Sequence, residues 1–318
     1  MRNKLGTAVL LASLLGVNLV AIDTAQAATK KKPRPVAVKT ESKSGKHLRK
    51  VSAAPAETLR PQSPAQLAVQ SGAALVIDQN GAAIYQKNAD VVAPIASITK
   101  LMTAMVVLDS IPDLQETITI SSEDVDTLRG SRSRLAPGVT LNRETALLLA
   151  LMSSENRAAH ALARHYPGGI HAFIAAMNHK AAALGMTHTH FSDPTGLTSE
   201  NVSTARDLSR MVEAAAHYPL IREFSTTAGS SVEVSGRKLD FNNTNQLVKS
   251  NNWDIHLSKT GYIQEAGKCL VMQARVADKP VVIVLLDSAG KLTRIGDANR
   301  IKRWMESSTA TRRPMTRA

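Results

Sequence analysis

The segment Ala93-Pro94-Ile95-Ala96-Ser97-Ile98-Thr99-Lys100-Leu101-Met102-Thr103-Ala104-Met105 sets a serine three residues ahead of a lysine at the start of a run with helical spacing. Residues three apart on a helix are neighbours, so the spacing predicts the Lys100 amine beside the Ser97 hydroxyl. Ser97 would also lie near a helix N-terminus, where the macrodipole favours a developing negative charge. These are the parts of an activated nucleophile. Taken alone the pair has an ordinary alternative, a capping serine and a decorating lysine, since both are common on helices. Partners elsewhere in the chain decide between the two.

Upstream of this segment, residues 73–78 and 82–86 alternate as strands around Gln79-Asn80-Gly81, and Asn-Gly is a strong hairpin signal. The Ser97 helix is expected to run to about Ser110, where Ile111-Pro112 stops it. Residues 117–120 read as a short strand, and 121–138 as a loop with at most a turn of helix. Four helical patterns follow at 143–152, 156–166, 170–184 and 204–218, punctuated by Gly168-Gly169, Gly185 and Pro219. Strand patterns then return at 231–234, 238–241, 256–260, 268–276 and 281–287, and a last amphipathic helix is expected over 292–305. Strands at both ends with helices between them predict an α/β fold of the α+β type. One antiparallel sheet, drawn from both ends of the chain, is flanked by helices and carries an inserted helical lobe.

The 318 residues carry a net charge of +13, with only 3% aromatic residues, so the core must rest on Ala, Leu, Val, Ile and Met. Arg2 and Lys4, an apolar run over 5–22 and Ala25-Gln26-Ala27 predict an export signal over 1–27. Residues 28–67, rich in Lys, Pro, Ser and Ala without periodicity, read as a disordered basic linker. The folded domain is expected over 68–307, followed by a basic tail over 308–318. Much of the positive charge therefore lies outside the fold, which points to anionic wall polymer or at most a peripheral membrane association. Nucleic acid is not an expected partner, because the basic residues lack interleaved aromatics. Cys269, the sole cysteine, sits in a strand pattern and reads as a small buried hydrophobe.

Two further stretches supply the partners. Ser153-Ser154-Glu155-Asn156-Arg157 interrupts the apolar helical block, and Leu257-Ser258-Lys259-Thr260-Gly261-Tyr262 falls late in the chain at an expected strand end. The ordered set Ser-x-x-Lys, Ser-x-Asn, Lys-Thr-Gly resembles the penicillin-interacting serine peptidases and β-lactamases. The middle triplet carries Glu155 where that signature has aspartate. The resemblance runs from about Val69 to Trp304. With Phe191-Ser192-Asp193-Pro194-Thr195-Gly196-Leu197 and Ser203-Thr204-Ala205-Arg206-Asp207-Leu208 it is most similar to the low-molecular-mass penicillin-binding proteins, the serine D-alanyl-D-alanine peptidases, and among them to the endopeptidases.

That resemblance implies a β-lactamase/transpeptidase-like fold and a set of roles. Ser97 would attack the D-alanine carbonyl to form an acyl-enzyme, with Lys100 as base and Ser154 relaying a proton to the leaving amine. Asn156 would fix the substrate backbone, Lys259 would add positive potential, and Thr260 would hold the carboxylate beside the scissile bond. Gly261 would let substrate approach the strand edge closely. The oxyanion hole would be the backbone N–H groups of Ser97 and Tyr262. The implied partners are peptidoglycan peptide stems as substrate and β-lactam antibiotics as inhibitors, with the protein exported to the periplasm and no cofactor required. The motifs alone leave carboxypeptidase and endopeptidase open. The chain ends soon after its last helix, where carboxypeptidases of the family often carry another domain, and this favours the endopeptidase reading.

Three rivals are weaker. A class A β-lactamase needs a second carboxylate in a Glu-x-x-Leu-Asn loop, and no such stretch lies between Asn156 and Lys259. A metal hydrolase would have to use His179, His188 and His190 without a His-Glu-x-x-His motif. An inactive wall-binding scaffold is disfavoured because all three motifs are complete. The sequence leaves the oligomeric state open.

Overall fold

The computed structural model describes residues 67–310, with side chains to residue 308. The export signal, all but the last residue of the linker, and residues 311–318 of the tail lie outside the described residues. Leu67, that last linker residue, is already buried in the core.

Strands β1 (Ala73–Asp78), β2 (Ala83–Lys87), β9 (Asp254–Ile263), β10 (Gly267–Val276) and β11 (Lys279–Ser288) form one sheet in the order β2-β1-β11-β10-β9. Every pairing in it is antiparallel. It is drawn from both ends of the chain, as the pattern predicts. Both faces are covered, so alternate residues enter two different cores. Leu75, Ile77, Val271, Val284 and Leu286 face the helical lobe. Val76, Leu270, Met272, Ile283 and Leu285 face the final helix α7 (Lys291–Ala310) through Ala298, Ile301 and Met305. Asp297 of α7, fully buried, accepts from the backbone N–H of Gln70 and Ser71 and from Ser71 Oγ, fastening the first residues of the domain to its last helix.

The helical lobe comprises α1 (Lys100–Asp109), α2 (Arg143–Met152), α3 (Asn156–Arg164), α4 (Gly169–Ala183), α5 (Ala205–Ala215) and α6 (Pro219–Thr226). Helix α1 is its axis: all of its residues from Lys100 to Val107 are buried. A helix buried all round has no polar face, so the position of Lys100 on it is a buried one. His160 Nδ1 on α3 donates to Asp124 Oδ1 at 2.7 Å, in a cluster that Arg164 completes, so it serves packing.

The structure departs from the pattern at several points. Pro219, read as punctuation after the preceding helix, is also the first residue of α6, a helix the pattern did not show, at a position where its missing N–H costs nothing. The paired strands β3 (Ala93–Pro94) and β6 (Val202–Ser203) are too short to show a period. Strand β4 (Thr117–Thr119) is where the pattern shows it, but its partner β5 (Thr140–Asn142) is too short to show a period. Strands β7 (Gly229–Val234) and β8 (Arg237–Asn242) pair with each other apart from the main sheet. Helix α7 continues to Ala310, five residues past its expected end and across the expected start of the tail.

One correction bears on the site. Lys259-Thr260-Gly261 does not end a strand; it lies in the middle of β9, the ten-residue edge strand of the sheet. An edge strand leaves one row of backbone groups without a strand partner, which an extended peptide can use.

Candidate active site

Ser97 lies in a turn of 3-10 helix, Ala96–Thr99, that leads directly into α1. Its neighbour Ala96 has φ of 49°, in the left-handed region. Ser154, in the break between α2 and α3, has φ of 63°. A non-glycine residue held there costs on the order of 1–3 kcal/mol, so the fold fixes both turns against a local preference.

The chain brings the three motifs together. Lys100 Nζ donates to Ser97 Oγ at 2.9 Å, to Asn156 Oδ1 at 2.7 Å and to the Thr195 carbonyl at 2.7 Å. Lys259 Nζ donates to Ser154 Oγ at 2.9 Å and to its neighbour's carbonyl at 3.1 Å. Asn156 Nδ2 donates to Ser131 Oγ at 3.0 Å, which fixes the amide so that its oxygen faces Lys100. Ser97, Ser154, Asn156, Thr260, Gly261 and Tyr262 line one open cavity of about 670 Å³.

Both lysines are buried, and burial disfavours their charged forms. Lys100 is lowered to about 7, with desolvation outweighing the opposing pull of Asp193 and Glu155. Lys259 is lowered well below the ordinary lysine range by desolvation, then by the charges of Lys100 and Arg294. At neutral pH a fraction of Lys100 is therefore a free amine, hydrogen-bonded to a hydroxyl. Removing the Glu155 charge removes one of the forces that raise Lys100. Glu155→Gln is accordingly expected to move the acid limb of acylation downward by a fraction of a pH unit, read from acylation rates between pH 5 and 9. An unchanged or upward-shifted limb would contradict this.

Several partners were not legible in the sequence as chemistry. The loop quoted above for the resemblance, Phe191–Leu197, supplies the Thr195 carbonyl under Lys100 and is folded around one carboxylate. Asp193 accepts from the backbone N–H of Thr195, Gly196 and Thr198. Thr103 Oγ1 of α1 donates to the Pro194 carbonyl at 2.6 Å. Gly196 comes so close to the backbone ahead of Ser97 that a Cβ there would lie 1.9 Å from the Ala96 carbonyl oxygen. Gly261 has a packing reason of its own: its missing Cβ leaves room for the Ile95 carbonyl and the Ser97 nitrogen, 2.8 and 3.1 Å from where it would stand. Thr244 Oγ1 accepts from Thr260 Oγ1 at 2.7 Å, from a run of asparagines, 242–245, that reads in sequence only as a loop.

Asn201 locks this assembly. Fully buried, its side-chain oxygen accepts from the N–H of Ser192 and Asp193, while its nitrogen donates to Thr99 Oγ1 at 3.0 Å and the Asp193 carbonyl at 2.8 Å. Asn201→Ala leaves these groups unpaired in the interior and is expected to cost about 3 kcal/mol. Chemical denaturation of the purified domain checks it; a loss under about 1 kcal/mol would show that the loop re-pairs without the amide.

Over residues 60–290 the chain matches the model of the S11 peptidases, described as D-alanyl-D-alanine carboxypeptidase. The chain belongs to this family. Among S11 relatives, the D-alanyl-D-alanine endopeptidase of Pseudomonas aeruginosa is 50% identical over 254 residues, covering 79% of this chain and 82% of that protein. The D-alanyl-D-alanine endopeptidase of Escherichia coli K12 is 47% identical over 255 residues, with the same shares covered. The crystal structure of the Streptomyces K15 DD-transpeptidase superimposes with a TM-score of 0.69 at 29% identity, covering 74% of this chain and 97% of that one. The fold and the family implied by the three motifs are thus those the chain has, and as an S11 peptidase it is a serine hydrolase.

No helix among the described residues is long and apolar enough to cross a membrane. Cys269 is buried in β10, with Sγ bonded to the Ala266 carbonyl and its pKa pushed up to about 11 by burial. It is the inert packing residue that its strand pattern predicts.

Proposed function

We propose that this S11 peptidase is a D,D-endopeptidase that cleaves D-alanyl-diaminopimelate cross-links of peptidoglycan through an acyl-enzyme on Ser97, and that it acts in the periplasm. The observation that carries the reaction is the 2.9 Å hydrogen bond between Ser97 Oγ and a buried lysine lowered to about 7. Neutral Lys100 accepts the Ser97 proton as Oγ attacks the D-alanine carbonyl. The C–N bond breaks, and the proton that Lys100 took passes through Ser154, which Lys259 orients, to the departing amine. Water then attacks the ester carbonyl and gives up a proton to the again-neutral Lys100, the ester C–O bond breaks, and Lys100 passes that proton to Ser97 Oγ. Asn156 holds the substrate amide and Thr260 the carboxylate beside the scissile bond. The N–H groups of Ser97 and Tyr262 hold the oxyanion, at on the order of 3 kcal/mol per donor. The close approach of β9 to the Ser97 nitrogen at Gly261 supports that pairing.

The cross-link as substrate is supported by the two endopeptidases at 50% and 47% identity. Cleavage of free D-alanyl-D-alanine ends is the second reading, favoured by the family description and by carboxypeptidase relatives at 29–32% identity. The apolar run before Ala25-Gln26-Ala27 supports export. β-Lactams acylate the same serine, and no Asp or Glu among the described residues lines the cavity in the place of the second carboxylate that a class A β-lactamase uses for rapid deacylation, so slow turnover of the penicilloyl adduct is expected. Fluorescent penicillin tests the nucleophile. The intact protein is expected to label at Ser97 and Ser97→Ala not at all; label on Ser97→Ala, or none on the intact protein, would overturn the assignment.

A further inference from the structure

The cavity that holds Ser97 extends past Thr260 and Tyr262 to a group of cations. Lys249, Lys268 at the start of β10, and Lys291 and Arg294 at the start of α7 all line it, and no carboxylate does. Among the described residues none of the four forms an ion pair. Arg294 is committed to the fold: it is buried, and its Nη1 donates to the carbonyls of Gly261 at 3.2 Å and Cys269 at 2.9 Å. Lys249 Nζ donates to Asn242 Oδ1 at 2.7 Å. Lys268 lies over the Tyr262 ring, and Lys291 is exposed. Burial, Arg294 and Lys291 together hold Lys268 below the ordinary lysine range, so these cations act on one another. Like charges gathered at one end of a cavity with nothing to neutralise them are favourable only toward an anion.

We propose that Lys268 and Lys291 form an anionic subsite for the acceptor stem, the half of a cross-link that leaves with the amine. The proposal rests on the cross-link reading above and names what distinguishes that substrate. A free D-alanyl-D-alanine end releases one amino acid with one carboxylate, which Thr260 holds. The acceptor stem of a D-alanyl-diaminopimelate cross-link carries that carboxylate on the carbon next to the scissile amide and others further along the stem. Cations beyond Thr260 reach those others. They raise encounter rate and affinity for a cross-link while doing nothing for a free end, and added salt weakens the effect.

The test uses two cross-linked dimers with the same donor stem, one with free acceptor-stem carboxylates and one with the carboxylates remote from the scissile bond amidated. The intact protein is expected to favour the free-carboxylate dimer by about tenfold in kcat/KM, mainly through KM. In Lys268→Gln/Lys291→Gln the preference should fall to about twofold or less. The single exposed change Lys291→Gln, expected to fall between the two, keeps the test intact if the double variant folds poorly. Equal kcat/KM for both dimers in the intact protein would overturn the subsite and leave cross-link cleavage standing. A preference retained in full by both variants would assign it to other residues and overturn it equally. Cleavage of neither dimer would overturn the cross-link reading, and the subsite with it.

Discussion

Lys100→Arg is expected to acylate with penicillin at least about 10³-fold more slowly than the intact protein, at every pH from 5 to 9. Arginine keeps the charge and the hydrogen-bond donors but cannot give up its proton, so it satisfies the site without serving as a base. The intact protein behaves differently with pH because Lys100 is lowered to about 7 by burial. Below that value the amine is protonated and acylation falls about tenfold per pH unit; above it the amine is free and the rate levels off. Stopped-flow acylation across the pH range gives both results. If Lys100→Arg acylates within tenfold of the intact protein, the base lies elsewhere, and the bond between Lys100 and Ser97 serves only position.

The second large effect is expected at Gly196, which touches no substrate in this account. Its φ is 79°, and a Cβ would stand 1.9 Å from the Ala96 carbonyl oxygen and 2.9 Å from the Ser97 nitrogen. Neither atom belongs to a flexible side chain. Gly196→Ala must therefore displace the peptide bond ahead of Ser97, or the loop that offers the Thr195 carbonyl to Lys100. A displacement of about 1 Å costs on the order of 10²-fold in rate, and the clash itself about 3 kcal/mol in stability. Gly185→Ala isolates the backbone contribution, since Gly185 has φ of 69° but nothing within 4 Å of its absent Cβ. That control should lose about 1 kcal/mol and acylate normally. Equal behaviour of the two variants would mean that the contact at Gly196 is not what positions Ser97.

The contrast between these glycines marks what a single sequence makes legible. Gly185 follows an apolar helical run and Gly196 sits in a polar, turn-like stretch, but neither local pattern shows which of the two is packed against the backbone of another element. Only the return of the Asp193 loop to the start of α1, more than 90 residues away in the chain, gives the first its weight. Motif residues were legible for the opposite reason. Ser97 and Lys100 share one helical turn, so their contact follows from spacing alone, and Ser154, Asn156, Lys259 and Thr260 carry chemistry in their residue types. The sheet was legible because both its faces are buried and its strands are bounded by turns such as Asn80-Gly81. Elements of two residues, such as β3 and β6, have no period to read. Pro219 marks the break after α5 as its pattern predicts, but the helix it opens was not legible, because a proline ends one helix and begins another with equal ease. Arg294 and Thr244 were invisible because their roles consist of contacts made across the sheet edge.

Hydrolysis of the cross-link through Ser97 is the centre of the account, and a purified D-alanyl-diaminopimelate cross-linked dimer tests it most directly, with products read by mass. The intact protein is expected to convert the dimer into its two monomeric stems, and Ser97→Ala to leave it whole. Release of terminal D-alanine with the cross-link untouched, or cleavage that persists in Ser97→Ala, would contradict it.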